Sequence, residues 1–314
     1  MAPTRTRSMR DACSQAIYEV GKENPRIIAM SADQDRTFTM FKEKIPERFI
    51  DVGIAEANMV GIAAGLAHSG FIPYVTSIAG ILTMRACEQI RDDVCYNKLP
   101  VRIVGHGAGI SYGTLGTTHH AIEDLAMMRS IPNMTVVVPA DAIEVKKVIT
   151  KSVAFEGPIY IRLGTGDDPV VYEDEDSFPF EIFKTIVLRK GKRVKIFGAG
   201  SCLAGACAAS DTLRGSGIEV GVLNVHTIKP LDKDFLLKEA QEAEVILTVE
   251  EHNHFGGLGS ALAELFMGRI HRPMRILGIP DVFSDVADRN DLYATYGIDS
   301  IGILEAIHGL LKER

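Results

Sequence analysis

The chain contains no tryptophan, which by itself excludes nothing. Its cysteines say more. Cys13, Cys87, Cys95, Cys202 and Cys207 are scattered and odd in number, and none forms a Cys-x-x-Cys pair. That pattern supports neither a disulfide framework nor a zinc site. Long apolar runs are missing as well, since no stretch reaches the roughly eighteen residues of a membrane span. A positive excess is also missing. The net charge is −7, whereas nucleic-acid binders usually carry a basic face. The basic start, Met1 to Arg10, lacks the apolar core of a secretory signal. Repeats and low-complexity tracts do not occur. What is present is 46% hydrophobic and 24% charged residues over 314 positions, an ordinary globular composition. We expect a cytoplasmic enzyme of two domains, with no nucleic-acid and no membrane partner.

One stretch stands out. Asp51 to Ala67 reads DVGIAEANMVGIAAGLA, and Glu56 is its only charge after Asp51. No Lys or Arg lies within seven residues of Glu56 on either side. A surface helix of this length normally carries several charges. The run therefore reads as a helix buried nearly all round, with one acid at its start. A buried, unpaired carboxyl is costly unless it is protonated or partnered. Glu56 is thus a candidate for chemistry, and the alternative is an exposed first-turn acid favoured by the helix dipole.

Around it, apolar periodicity alternates between strands and helices. The pattern predicts a helix from Met9 to Val20 stopped by Gly21, and strands at 26–30, 49–52, 71–76, 101–104, 135–138 and 158–162. It predicts a single helix at 82–96 and another at 121–129. The second half predicts strands at 193–197, 219–223, 245–250 and 274–279, with helices at 201–214, 234–241, 258–267 and 300–311. Such alternation means α/β units with parallel sheets and helices on both faces. An acidic, turn-rich stretch separates the halves. The expected division is 1–165, a linker at 166–185, and 186–314.

Ligands of open parallel sheets sit at the carboxyl ends of the strands. Three segments leave strands in a suitable way: the turn before Glu56, the glycine-rich loop 105–120, and Arg162. The loop does not match a phosphate-binding spacing. It ends in His119 and His120, just before the expected helix, where a dipole would keep an imidazole neutral. They are proton-handling candidates or capping residues. His106 is a ligand contact or a filler, and His252 and His254 read as a structural turn. Arg162 ends a buried strand, so it needs an anionic ligand or an internal salt bridge.

Four stretches resemble one family, in order and over nearly the whole chain. They are 51–67, 116–141 (GTTHHAIEDLAMMRSIPNMTVVVPAD), 226–232 (HTIKPLD) and 250–259 (EEHNHFGGLG). The resemblance is to the thiamine-diphosphate enzymes of the transketolase group, and to the C-terminal subunit of a split transketolase. It implies a parallel-sheet pyrimidine-binding domain followed by a smaller mixed-sheet transketolase C-terminal domain, both doubly wound. It implies transfer of a two-carbon ketol unit from a phosphorylated or otherwise anionic ketose to an aldehyde. In this family a glutamate meets N1′ of the cofactor's aminopyrimidine and favours the imino tautomer, which takes the proton from C2. Glu56 matches that residue, its apolar surroundings keeping the carboxyl protonated, and His119 matches a histidine near the reacting centre. Ile54, Ile81 and Arg85 fall at the cofactor, and His106, His119 and Arg162 at the substrate, Arg162 on a donor phosphate.

Three departures qualify the resemblance. Ile78 and Ile81 stand where relatives have phenylalanines, one of which stacks on the pyrimidine, a contact worth about 1 kcal/mol. Gly113-Thr114-Leu115-Gly116 lacks the acid that reads a sugar hydroxyl. Gly-Asp-Gly with a downstream Asn, the family's Mg²⁺ and diphosphate motif, does not occur. The resemblance therefore implies a partner N-terminal subunit that brings Mg²⁺ and the diphosphate site, in an α2β2 assembly. Alternatives are the β subunit of a 2-oxoacid dehydrogenase-like or acyl-transferring enzyme, and a non-catalytic scaffold.

Overall fold

The structure, a computed structural model, describes residues 5–313. Residues 1–4, where the basic start begins, and residue 314 lie outside the described residues. The first half is a seven-stranded sheet in the order Thr227–Lys229, Thr135–Val137, Ile159–Leu163, Arg102–His106, Ile72–Ile78, Ile27–Ser31, Phe49–Asp51. All neighbours are parallel except the first pair. The central strands are buried along their length, as expected of a sheet covered on both faces. Helices Met9–Glu23 and Ala142–Ser152 cover one face through Ala12, Ile17, Val145 and Val148. Glu56–His68 and Ala79–Arg85 cover the other through Met59, Ala63 and Leu82.

The second half is a five-stranded sheet in the order Met274–Ile279, Val245–Asn253, Val194–Gly198, Val220–Asn224, Ile186–Arg189, the last strand antiparallel. Cys202–Gly215 and Ser300–Lys312 pack on one face. Lys233–Glu242 and Leu258–Phe266 pack on the other. Both halves are doubly wound α/β units, as expected. Among the strands that the sequence did not predict, Thr227–Lys229 matters most. It belongs to the second half in sequence but extends the first sheet, so the two halves share backbone hydrogen bonds.

Local chemistry accounts for the departures in element bounds. The first helix runs through Gly21 to Glu23. Gly21 is there for clearance, since a Cβ would lie 2.3 Å from Phe41 Cε2. The single helix expected over 82–96 breaks at Ala86 (φ −107°, ψ 17°) and ends in a π-helical turn, Ile90–Cys95. The helix expected from Ala121 starts at Asp124. His119 and His120 therefore stand several residues ahead of it, and the expected dipole effect on them does not apply. The Glu56 helix is not buried all round either. Asn58, Ile62 and Gly65 form an exposed face, and small or uncharged residues hid that face from sequence pattern.

Candidate active site

Glu56 follows the edge strand Phe49–Asp51 through a turn that needs Gly53 at φ 69°. That turn brings its side chain inward, where it is 4% exposed. Ser77, near the carboxyl end of a central strand, donates to Oε1 at 3.2 Å. Arg85 donates from Nη1 to Oε2 at 3.0 Å. The expectation of an unpaired carboxyl is corrected by this partner. Arg85 lies 29 residues away in sequence, and only the packing of helix Ala79–Arg85 brings it close.

Beside this pair opens a cavity of about 340 Å³. Its apolar walls include Ile81, Met84, Ile122 and Phe283, and its polar rim includes Thr118 and Glu123. Ile81, expected at the cofactor, is thus one wall of this cavity. Ile54 is 71% exposed and does not line this cavity. Phe283, from the second half, was not singled out in the sequence. It adds a phenyl ring to a cavity whose apolar side chains from the first half, Ile81, Met84 and Ile122, are all aliphatic.

His106 and His119 meet around Tyr112. The Tyr112 hydroxyl lies 3.1 Å from His106 Nδ1 and accepts from Arg10 Nη1 at 3.2 Å. His119 packs edge-on against the Tyr112 ring at 5.9 Å. Its Nδ1 lies 3.0 Å from Thr118 Oγ1. His106 is fully buried, and burial, helped by the nearby Arg10 charge, pushes its pKa well below the usual histidine value. It is a neutral imidazole. Its Nε2 and the Nε of Arg10 are buried without hydrogen-bond partners. Two unpaired polar atoms, on residues that share the Tyr112 hydroxyl, are costly unless a ligand completes them. Arg10 was missed in the sequence, since only the fold shows that it is the one charge among the buried residues of the first helix.

His120 lines the cavity beside Arg85, and both its ring nitrogens are buried without hydrogen-bond partners. It is buried, and burial pushes its pKa down.

Arg162 is corrected. Its Nε and Nη2 donate to both oxygens of Asp124 at 2.8 and 2.9 Å, and Nη2 also reaches the carbonyls of Ala121 and Glu251. The side chains are 2% and 0% exposed. Of the two readings open in the sequence, the internal salt bridge holds, and the donor-phosphate role is withdrawn. Removing one partner of such a pair costs about 3–5 kcal/mol.

The glycine-rich loop is held from below by the second half. Glu251 accepts from Ile110 N at 3.0 Å and from Arg289 at 3.3 Å. Arg289 also donates to Asp168 at 3.1 Å, and Asp168 accepts from Met9 N at 3.1 Å. The chain of contacts therefore ties the helix that carries Arg10 to the loop that carries His119. Glu250 accepts from Leu258 N and Gly259 N at the start of helix Leu258–Phe266. His252 and His254 face the carbonyls of Asn253 and Gly278, which bears out their reading as a structural turn.

Residues 5–167 match the pyrimidine-binding domain of transketolase, and residues 184–303 match the transketolase C-terminal domain. The chain belongs to the transketolase family. One subunit of the apulose-4-phosphate transketolase of Phocaeicola vulgatus is 36% identical, over 97% of this chain and 97% of that protein. A 6-deoxy-6-sulfo-D-fructose transketolase subunit from a Clostridium species is also 36% identical, over 98% and 95%. A solved split-gene transketolase, described as an inactive β4 tetramer, superimposes with a TM-score of 0.90 at 38% identity, over 97% of this chain and 98% of that one. The protein is thus a split-transketolase β-type subunit, a transferase of a thiamine-diphosphate-dependent family that acts with a partner subunit.

An apolar slot with a buried carboxylate at its side suits a flat heteroaromatic ring that carries N–H donors. Among the described residues no group of His, Cys, Asp or Glu is placed to hold a metal ion. No helix among them is long and apolar enough to cross a membrane.

Proposed function

We propose that this subunit binds the aminopyrimidine end of thiamine diphosphate and transfers a two-carbon ketol unit from an anionic ketose to an aldehyde. The observation that carries the reading is Glu56, a buried carboxylate hydrogen-bonded to Ser77 beside an apolar cavity. Thiamine diphosphate, when bound, supplies a carbon nucleophile and an electron sink for breaking a carbon–carbon bond. Glu56 accepts a ring N–H and so holds the proton balance of the aminopyrimidine. Ile81 and Phe283 exclude water from the ring. His119 meets the reacting end of the substrate and exchanges a proton with its oxygen.

Arg10 and His106 take the place first given to Arg162. A buried guanidinium with an unpaired Nε, next to a neutral imidazole with an unpaired Nε2, suits the anionic terminus of the donor. Leu115 replaces the acid expected to read a sugar hydroxyl, and it is 52% exposed. A substrate with fewer hydroxyl groups near that loop follows from this.

The diphosphate and Mg²⁺ belong to the partner N-terminal subunit on this reading, in an α2β2 assembly. The relative described as an inactive β4 tetramer supports the need for a partner. The test is the reconstituted pair, assayed with ketose phosphates, sulfonated ketoses and 2-oxoacids. Ketol transfer is the expected result, and turnover of 2-oxoacids alone would replace it with the acyl-transferring alternative. Glu56→Gln in that complex should lower kcat by about three orders of magnitude, or roughly 4 kcal/mol of barrier. Unchanged activity would leave only a scaffold.

A further inference from the structure

We propose that Arg85 is an exchangeable partner of Glu56: it occupies the carboxylate in the free chain and gives it up when the cofactor ring enters. The inference rests on the proposed role of Glu56, and it reassigns Arg85 from a direct cofactor contact to a positioning residue.

Both oxygens of Glu56 are taken, Oε1 by Ser77 and Oε2 by Arg85. Arg85 lines the cavity and Glu56 does not, so a ring N–H that enters from the cavity reaches the carboxylate only past the guanidinium. The two differ in freedom. Ser77 is 1% exposed and sits on a buried strand, so its hydroxyl has nowhere to go. The Arg85 side chain is 53% exposed, against 4% for its partner. It reaches in from the last residue of helix Ala79–Arg85 and lines the cavity beside the carboxylate. A half-exposed arginine is rehydrated at little cost when it swings out. Glu56 stays buried whether or not a ligand is present, and a buried carboxylate without a cation is penalised. Arg85 removes that penalty in the free chain, and the entering ring removes it in the loaded one. Because the ion pair has to open first, part of the cofactor's binding free energy is spent on opening it.

The test uses the chain reconstituted with its partner subunit, with thiamine diphosphate and Mg²⁺ as the probe and binding followed by calorimetry. Arg85→Leu should lower the thermal midpoint of the free chain yet tighten thiamine diphosphate binding about fivefold, since a competitor worth up to one surface ion pair is gone. Arg85→Lys should fall between Leu and wild type in both readouts, and it guards against a Leu variant that does not fold. In a Glu56→Gln background the change at position 85 should no longer alter affinity. Weaker binding by Arg85→Leu would mean that Arg85 holds the cofactor directly and overturns the proposal, as would unchanged binding. A wild-type complex that binds no thiamine diphosphate would overturn the proposed function itself, and this inference with it.

Discussion

Glu144 is a buried acid that the reaction does not use. It sits in the first turn of helix Ala142–Ser152 and accepts from Ala140 N at 2.6 Å and from the Asn224 amide at 2.9 and 3.0 Å. Asn224 belongs to the second half and also donates to the Tyr172 hydroxyl at 2.8 Å. Asn224 therefore links the Glu144 carboxyl to a third segment of the chain, at Tyr172. Burial pushes its pKa up to about 8 from an ordinary 4.5. The folded state thus favours the protonated form. Its stabilising contribution is complete below pH 4.5 and is lost as pH rises through about 8. The Asn224 Oδ1 is buried and unpaired, so turning that amide over would let it accept from protonated Glu144. Glu144→Gln should hold its thermal midpoint between pH 5 and 9 better than wild type, as read by calorimetry across that range. A parallel fall in both proteins would refute the assignment. At this scale Glu56 was legible because it is an isolated charge in an apolar run. Its partner Arg85 was not, because no local pattern links a turn to a helix 29 residues on.

The element that governs the site is the loop 105–120. Its glycines were visible in the sequence, and so was their use in letting backbone approach something closely. What they approach was not visible. A Cβ on Gly113 would lie 2.2 Å from the Ala287 carbonyl oxygen. A Cβ on Gly109 would lie 2.1 Å from Glu251 Cγ, at a φ of 54°. The close contact is with the second half of the chain rather than with a ligand. Gly113→Ala should therefore push the loop off that surface. Overpacking of this kind costs about 1–3 kcal/mol. We expect a lower thermal midpoint together with a several-fold rise in donor KM, because His119 rides on the same loop. A lower midpoint with KM unchanged would show that the loop's seating does not set His119.

For the whole molecule, the proposed function assigns the metal and the diphosphate to the partner subunit. The described residues hold no metal-binding group. Isolated chain should accordingly show no tight thiamine diphosphate binding in calorimetry and no turnover, and both should return on adding the N-terminal subunit. Robust turnover by the purified chain would refute this.

Sequence alone determined the family, the paired α/β architecture and the need for a second subunit, and it singled out Glu56 as the candidate acid. These follow from periodicity, from motifs read in order, and from a missing motif, all of which are local or linear properties. Tertiary structure decided which charges meet. It gave Arg162 to Asp124, Arg85 to Glu56 and Arg10 to the His106–Tyr112 cluster, and it lent the strand Thr227–Lys229 to the first sheet. An arginine reads the same in sequence whether it will meet a substrate or a carboxylate of its own chain, because its partner is chosen only by packing.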